Sequence, residues 1–459
     1  MKKRVLALVM STAMIASVLT ACGGNSNDGG SASDASNTTT GDNSASADNA
    51  ATGDNSASAD TSADNSAATD NSASGEQTMD YGSGEIKIWV PDAVTGVTQT
   101  LCDSFFEAHP EMNGYTVAIE PMGEGDAAGN VITDVEAAPD LYAFAQDQMA
   151  RLVTAGALTP INGDYATFVK ESNDAGAAAA AQVGSEVYAF PLTSDNGYFM
   201  YYDKSVITDP SSLDQIIADC EAAGKNFYFD TGSWYQTAFF FGAGCQLEFE
   251  TDESGAFTSI TNTYASENGL KAIKAIRTMS ESKCYMDGSS VGDAVNWAAI
   301  VDGTWDSSAA KEILGDNYAC APLPKFTVDG ESFQLGGFGG FKLMGVKPQA
   351  EPGKLVVCLE LAKYLSDTDA QLTRFKEVGW GPSNVTAQQD SAVQADEALS
   401  ALGQQLQYTI PQGQYPGEYW SEADALGETI CGGNFKGYTD DQLMAELQAF
   451  SDKMDALVK

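Results

Sequence analysis

Histidine, basic charge and paired cysteine are all scarce in this chain, and each scarcity removes a class of function. The 459 residues include one histidine, His109. One imidazole cannot build the two-histidine zinc site of an HExxH motif, and it leaves any Ser-His-Asp triad a single candidate base. His109 precedes Pro110 at the expected end of a helix, which reads as a solvated capping position. No GxxxxGK[ST] sequence occurs, because Gly224-Lys225 and Gly353-Lys354 lack the following Ser or Thr. Gly336-Gly337-Phe338-Gly339-Gly340 is not a dinucleotide fingerprint either. No metal site and no cofactor are implied. Lys and Arg total 23 against 64 acids, a formal charge of −41. That balance excludes nucleic acid as a partner, since phosphate binding needs positive charge. It equally opposes direct adhesion to anionic lipid, and is read as a device for solubility. Beyond Cys22 there are seven cysteines, an odd number with no CxxC spacing. They form no disulfide framework, and most sit in apolar contexts such as Val356-Val357-Cys358-Leu359, as small buried side chains do. One disulfide is possible, and the sequence leaves its partners open.

The segment 23–83 lacks Leu, Ile, Val, Phe and Trp altogether. Ten acids and no Lys or Arg lie between Cys22 and Gly82. The octet Gly41–Asp48 recurs at 53–60, so the segment grew by duplication. Such a chain cannot bury enough apolar surface to offset its ordering entropy. It is a flexible tether, with a coil span of about 40–45 Å for about 60 residues. Before it, Lys2, Lys3 and Arg4 precede an uncharged apolar or small-residue stretch at 5–21. That is a secretory signal, too short and wrongly flanked for a transmembrane helix. Leu19-Thr20-Ala21-Cys22 resembles a bacterial lipobox, in which cleavage exposes Cys22 for acylation. Two acyl chains then hold a protein on the outer face of a membrane.

From 84 onward the chain is long enough for two lobes. Residues 85–90 alternate and stop at Pro91, as a strand does; 98–109 carry Leu101, Phe105 and Phe106 at helical spacing. Strands are expected at 115–119 and 140–144, so strands and helices alternate in the manner of a parallel, helix-covered sheet. Ligands of such sheets bind in loops beyond the carboxyl ends of strands, where Asp92 and Asp147 fall. A second cycle runs from 227–230 through a helix at 269–281 to 297–302. Extended pieces at 187–190, 198–202, 317–322 and 335–346 look like crossings, and helices close the chain at 354–365, 368–376, 420–430 and 439–457. Trp89 and Trp297 read as core.

At this point the residues resemble a known family. Ile88-Trp89-Val90 with Asp92, then Asp140–Gln148 with Gly156-Ala157-Leu158, are similar to the first strand and the second ligand block of family 1 extracellular solute-binding proteins of ABC importers, the maltose-binding type. Tyr188–Pro191 with Tyr201–Lys204, Asp302-Gly303-Thr304-Trp305, and Ile410-Pro411-Gln412 with Trp420 follow in the same order. The resemblance implies a two-lobed α/β fold of the periplasmic binding-protein type (type II). Three crossings near 193–197, 317–322 and 376–382 would join the lobes. Residues 84–194 plus 320–378 would form the N-lobe, and 195–319 plus 379–459 the C-lobe, after the signal peptide 1–21 and the lipidated tether 22–83.

The family binds oligosaccharide between the lobes, stacking the apolar sugar face on aromatic rings and pairing the hydroxyl rim with carboxylates and amides. Carried over, the polar readers are Asp92, Asp147, Gln148 and Asp195, and the stacking platforms Phe144, Trp234, Tyr235, Trp305 and Trp420. Tyr419 and Trp380 are additions from this sequence, and Glu124 lies where the family often has a contact acid. Asp92, Phe144 and Asp147 belong to the N-lobe wall, and Trp234, Trp305 and Trp420 to the C-lobe wall. The chain departs from the family's maltose pattern at Ala93 (usually Lys), Phe144 (Trp), Gln148 (Arg) and Ser421 (aromatic). The implied protein is a monomeric, lipid-anchored receptor that delivers oligosaccharide to the transmembrane subunits of an ABC permease, and it is not an enzyme. Three alternatives stay open. One is a glycoside hydrolase on similar glycans, since with 64 acids any pocket can hold two carboxylates. Another is a receptor for a different oligosaccharide, and the third a surface adhesin without small-molecule cargo.

Overall fold

The computed structural model describes residues 79–252 and 255–458. The signal peptide at 1–21, Cys22 and the tether as far as 78 lie outside the described residues. The tether was expected to reach 83, but the folded part begins earlier. The Tyr115 hydroxyl donates to the carbonyl of half-buried Tyr81 at 2.7 Å. Gly353 admits the Asp80–Tyr81 backbone so closely that a Cβ there would stand 2.3 Å from the Asp80 oxygen. One aromatic ring in an otherwise polar stretch suffices to dock it.

Ten strands build two five-stranded sheets. In chain order they are β1 (Gly84–Val90), β2 (Tyr115–Pro121), β3 (Leu141–Ala145), β4 (Ala189–Thr193), β5 (Phe199–Asp203), β6 (Asn226–Tyr228), β7 (Tyr285–Met286), β8 (Trp297–Asp302), β9 (Tyr318–Ala321) and β10 (Lys342–Val346). The first sheet has the order β2-β1-β3-β10-β4 and the second β7-β6-β8-β5-β9. β1 alternates as expected, with Ile86, Ile88 and Val90 buried. Trp89 is on its other face, half-buried, with its indole N–H on Glu120 of β2 at 2.9 Å; it is not core. Trp297 is core, packed with Phe199, Tyr201 and Ile300.

The sheets are not wholly parallel. β10 runs antiparallel to β3 and β4, and β5 antiparallel to β8 and β9. The reason is the path of the chain. A strand reached through a helix starts at the far edge of its sheet, whereas a strand entered from the other lobe starts at the edge facing that lobe. β4 leads through 194–198 into β5, and β10 is the first strand after the chain returns.

The lobe boundaries differ from expectation. Residue 320 does not open the return to the first lobe, because β9 pairs with β5 and the hairpin 325–334 stays on the second lobe through Lys274–Asp329 at 2.7 Å. The return lies within 335–341. The third passage also comes later. Gly381 runs beside the first crossing, its carbonyl accepting from Ser194 N–H, but Ser383 and Asn384 bond back to Asn173 and Gln371. Asn196 N–H donates to Gly340 at 3.0 Å, so the crossings lie side by side.

The helices fall close to their expected ranges. Thr95–Ala108 buries Leu101, Phe105 and Phe106, and ends at His109, whose ring lies 4.6 Å from Phe105 and whose Nδ1 meets Glu111. The closing helices are Pro352–Leu365, Thr368–Val378, Gly417–Cys431 and Asp440–Ala456. No described helix is long and apolar enough to cross a membrane.

Candidate functional site

The carboxyl ends of β1, β3, β4, β6 and β8 and the amino end of β10 face one seam between the sheets. Asp92 follows β1 in a short 3-10 turn and is exposed. Asp147 follows β3 in the turn Gln146–Gln148 and is wholly buried. Neither of its carboxyl oxygens meets a donor other than its own backbone N–H, so burial pushes its pKa well up, against the opposing charge of Arg151. Asp195 lies in the first crossing. Its Oδ2 accepts from the Thr304 hydroxyl, on the second lobe, and from Gly381 N–H, and burial raises its pKa against the charge of Lys342.

One expected reader and one expected stacking platform are occupied otherwise. The Gln148 amide is fully committed to the first turns of the helix Glu124–Thr133. Its oxygen accepts from Ala128 N–H at 3.0 Å, and its nitrogen donates to the carbonyls of Glu124 and Gly125. Phe144 has no exposed surface; its ring packs 5.8 Å from Tyr142 and against Gly345, inside the first lobe's core. The alternation of β3 turns it away from the seam, so the wall it was assigned to lacks it. Tyr419 is likewise fully buried, against Tyr415 and Phe249.

On the second lobe, the loop after β6 makes a 3-10 turn at Trp234–Gln236, its Ser233 hydroxyl accepting from Tyr235 N–H. Trp234 meets Trp420 edge to face at 6.0 Å, and Tyr235 stacks on Tyr198 at 4.2 Å. Trp420, half-buried at the start of its helix, closes the group with Phe338 and Tyr415. Trp305, also half-buried, sits in the turn Thr304–Asp306 after β8.

Lys342 is a buried cation on this seam that the sequence did not single out. Only 3 % exposed at the first position of β10, it places its ammonium 4.1 Å from the Trp380 ring centroid and 5.0 Å from that of Trp305. It forms an ion pair with Glu124 at 2.9 Å, in a geometry too bent for a hydrogen bond. One signal was available: a lysine at the head of an apolar strand, just after Gly339-Gly340-Phe341.

The walls touch. Gln414 accepts from Ala150 N–H at 2.8 Å and donates to the Gln146 carbonyl, and Tyr415 N–H reaches the Asp147 carbonyl. Along this seam Asp147, Asn196, Gln236 and Gln412 are each at most 2 % exposed, and none of their side-chain polar atoms has a partner beyond its own residue. Buried polar groups are rarely left so, because each costs about 1–3 kcal/mol. Here four lie in the same strand-end turns and crossings of the seam as Trp234 and Trp305. Such a lining suits a ligand with many hydroxyls and apolar ring faces.

A two-lobed α/β fold with such a seam defines a cleft-binding receptor, and the chain belongs to the bacterial extracellular solute-binding proteins, whose family profile matches residues 101–401. Among its relatives is the maltotriose-binding protein of Pyrococcus abyssi, 22 % identical over 368 residues, which span 75 % of this chain and 77 % of that protein. The galactooligosaccharide-binding protein of Bacillus subtilis is 23 % identical over 318 residues, 64 % of this chain and 72 % of the relative. The structure of the maltodextrin-binding protein MalE1 of L. casei, solved without ligand, is 25 % identical, with a TM-score of 0.67 over 81 % of this chain and 99 % of that one. The family and these relatives are binding proteins, not enzymes, and the hydrolase alternative falls with them.

Proposed function

We propose that this protein is a lipid-anchored oligosaccharide receptor, malto-oligosaccharide being the first candidate ligand. It closes its lobes on the sugar and delivers it to the transmembrane subunits of an ABC permease. One observation carries the ligand class: the partnerless atoms of Asp147, Asn196, Gln236 and Gln412 occur in the strand-end turns and crossings of the seam, where Trp234 and Trp305 also sit. Sugar hydroxyls satisfy the polar atoms, and ring faces stack on the indoles. Asp92, exposed at the end of β1, is a reader from the N-lobe wall, and Asp195 acts at the crossing. Tyr235 backs Trp234. Lys342 donates to a hydroxyl of the sugar that stacks on Trp305. Acylation of Cys22 holds the protein at the membrane, the tether 23–78 gives it reach, and it works as a monomer. The name of the Bacillus subtilis relative favours a second reading, a galacto-oligosaccharide in the same cleft.

Calorimetry with maltotriose, maltotetraose, β-galacto-oligosaccharides and xylo-oligosaccharides separates these. Binding of the α-glucans near 1 µM, about −8 kcal/mol, is expected. Trp305→Ala should weaken it by about 2 kcal/mol or more while the variant stays folded, since Trp305 is a half-buried strand-end residue. Exclusive binding of galactosides moves the reading to the second ligand. Binding of no glycan overturns the sugar reading.

A further inference from the structure

We propose that Cys220 and Cys284 are a redox pair that closes into a disulfide outside the cell. The seven described cysteines are present as free thiols, and the sequence offered no basis for pairing them. The second lobe brings two together. Helix Leu213–Ala223 ends at Gly224, whose left-handed φ of 65° turns the chain directly into β6. Cys220, in the last turn of that helix, has its Sγ 3.8 Å from the carbonyl of Asn226, the first residue of β6. Cys284 comes just before β7, and its carbonyl accepts from Phe227 N–H at 2.9 Å, which sets it beside the same stretch of β6. Its Sγ lies 3.6 Å from the carbonyl of Ile217, one helical turn before Cys220. The Cys284 sulfur thus rests on the helix that carries Cys220, and the Cys220 sulfur rests on Asn226, next to the Phe227 that holds the Cys284 carbonyl.

The local chemistry suits exchange. The neighbouring Cys220 thiol and the Ser282 hydroxyl, 3.8 Å from the sulfur, lower the Cys284 thiol against burial and the charge of Glu221, while Cys220 is raised. Lowering favours the thiolate, which is the nucleophile of exchange. The strand β7 is a two-residue edge, flanked by exposed Lys283, Met286 and Asp287, so local opening costs little. The family is extracellular, where disulfides persist. The oxidant is a small disulfide or an exported thiol oxidoreductase. Cys284 thiolate attacks its S–S bond and expels one thiol; Cys220 then attacks the mixed disulfide and expels the second. Two protein thiols become one disulfide, and one disulfide becomes two thiols. The bond would also brace the site. Asp287 accepts from Gly232 N–H at 2.7 Å and the Tyr285 hydroxyl bonds Thr231, just before the Trp234 turn.

The test uses the full chain, reduced and then equilibrated with oxidised glutathione. It is denatured in excess alkylating agent and mapped by peptide mass spectrometry. A linked 220–284 peptide, with the other described cysteines alkylated, is expected. A reductant should then lower the melting temperature by about 5 °C, and should leave a C220S/C284S variant unshifted. Full alkylation of both residues after equilibration, or a link mapped between other cysteines, overturns the proposal. The mapping is done on the unsubstituted chain, so it decides even where the double variant fails to fold.

Discussion

At the scale of single residues, Asp147 is the strongest case for a group held ready for a ligand. An ionised carboxylate without donors costs several kcal/mol when buried, and Asp147 has only its own N–H and the distant charge of Arg151. The sign follows from its raised pKa. Below about pH 4 the carboxyl is protonated whether the chain is folded or not, and it costs nothing. As pH rises the unfolded chain ionises first, so stability is lost up through the raised folded value. Asp147→Asn should therefore flatten the fall of stability with pH, and gain about 1–3 kcal/mol at neutral pH without sugar. Its glycan affinity should drop, because an amide accepts fewer hydroxyls than a carboxylate. Urea unfolding across pH 4–8, paired with calorimetry, reads both; parallel pH curves for the two proteins would remove Asp147 from the site. Asp195 differs, since Thr304 and Gly381 already use one of its oxygens.

At the scale of elements, the turn after β3 and the helix Glu124–Thr133 form one unit through Gln148. Three bonds from one buried amide hold that helix's first turns, and the helix in turn presents Glu124 to Lys342. Gln148→Ala should cost about 2–3 kcal/mol of stability, because it strands buried backbone groups. Glycan binding should weaken only as Glu124 and Lys342 loosen. A variant as stable as the parent that fails to bind sugar would restore Gln148 as a direct reader. The antiparallel entries of β5 and β10 belong to this scale as well. They put a residue at the start of a strand, Lys342, on the same seam as residues at strand ends.

At the scale of the whole molecule, the proposed clamp expects three neighbouring crossings to let two packed lobes hinge as rigid bodies. The walls meet through Gln414 with Ala150, Asp195 with Thr304, and Lys342 with Trp305. The seam they close also holds the partnerless groups of Asp147, Asn196, Gln236 and Gln412. A sugar that pairs those groups adds contacts the open form lacks, and so shifts the population toward closure. Solution scattering should show a smaller radius of gyration when a bound glycan is added. An unchanged radius at saturation counts against a clamp, though not against binding.

Much of the fold was legible because it rests on local signals. The alternation of Ile86, Ile88 and Val90, the helical spacing of Leu101 and Phe105, and the order of motif blocks specified strands, helices and two lobes. Asp147 was legible as a strand-end residue, and Trp234 and Trp305 through the motif blocks that resemble the family. What the sequence could not decide depends on which face a side chain turns to and what lies opposite it. Phe144 and Tyr419 look like stacking platforms but fill cores, and Gln148 looks like a reader but braces a helix. Lys342 looks like an ordinary strand lysine, until the crossing places it between Trp305 and Trp380, residues distant from it in the chain. Seven cysteines with no spacing rule became one candidate pair only when β7 was laid beside β6. Periodicity is written along the chain, whereas burial, charge pairing and thiol contact arise between segments that only tertiary packing brings together.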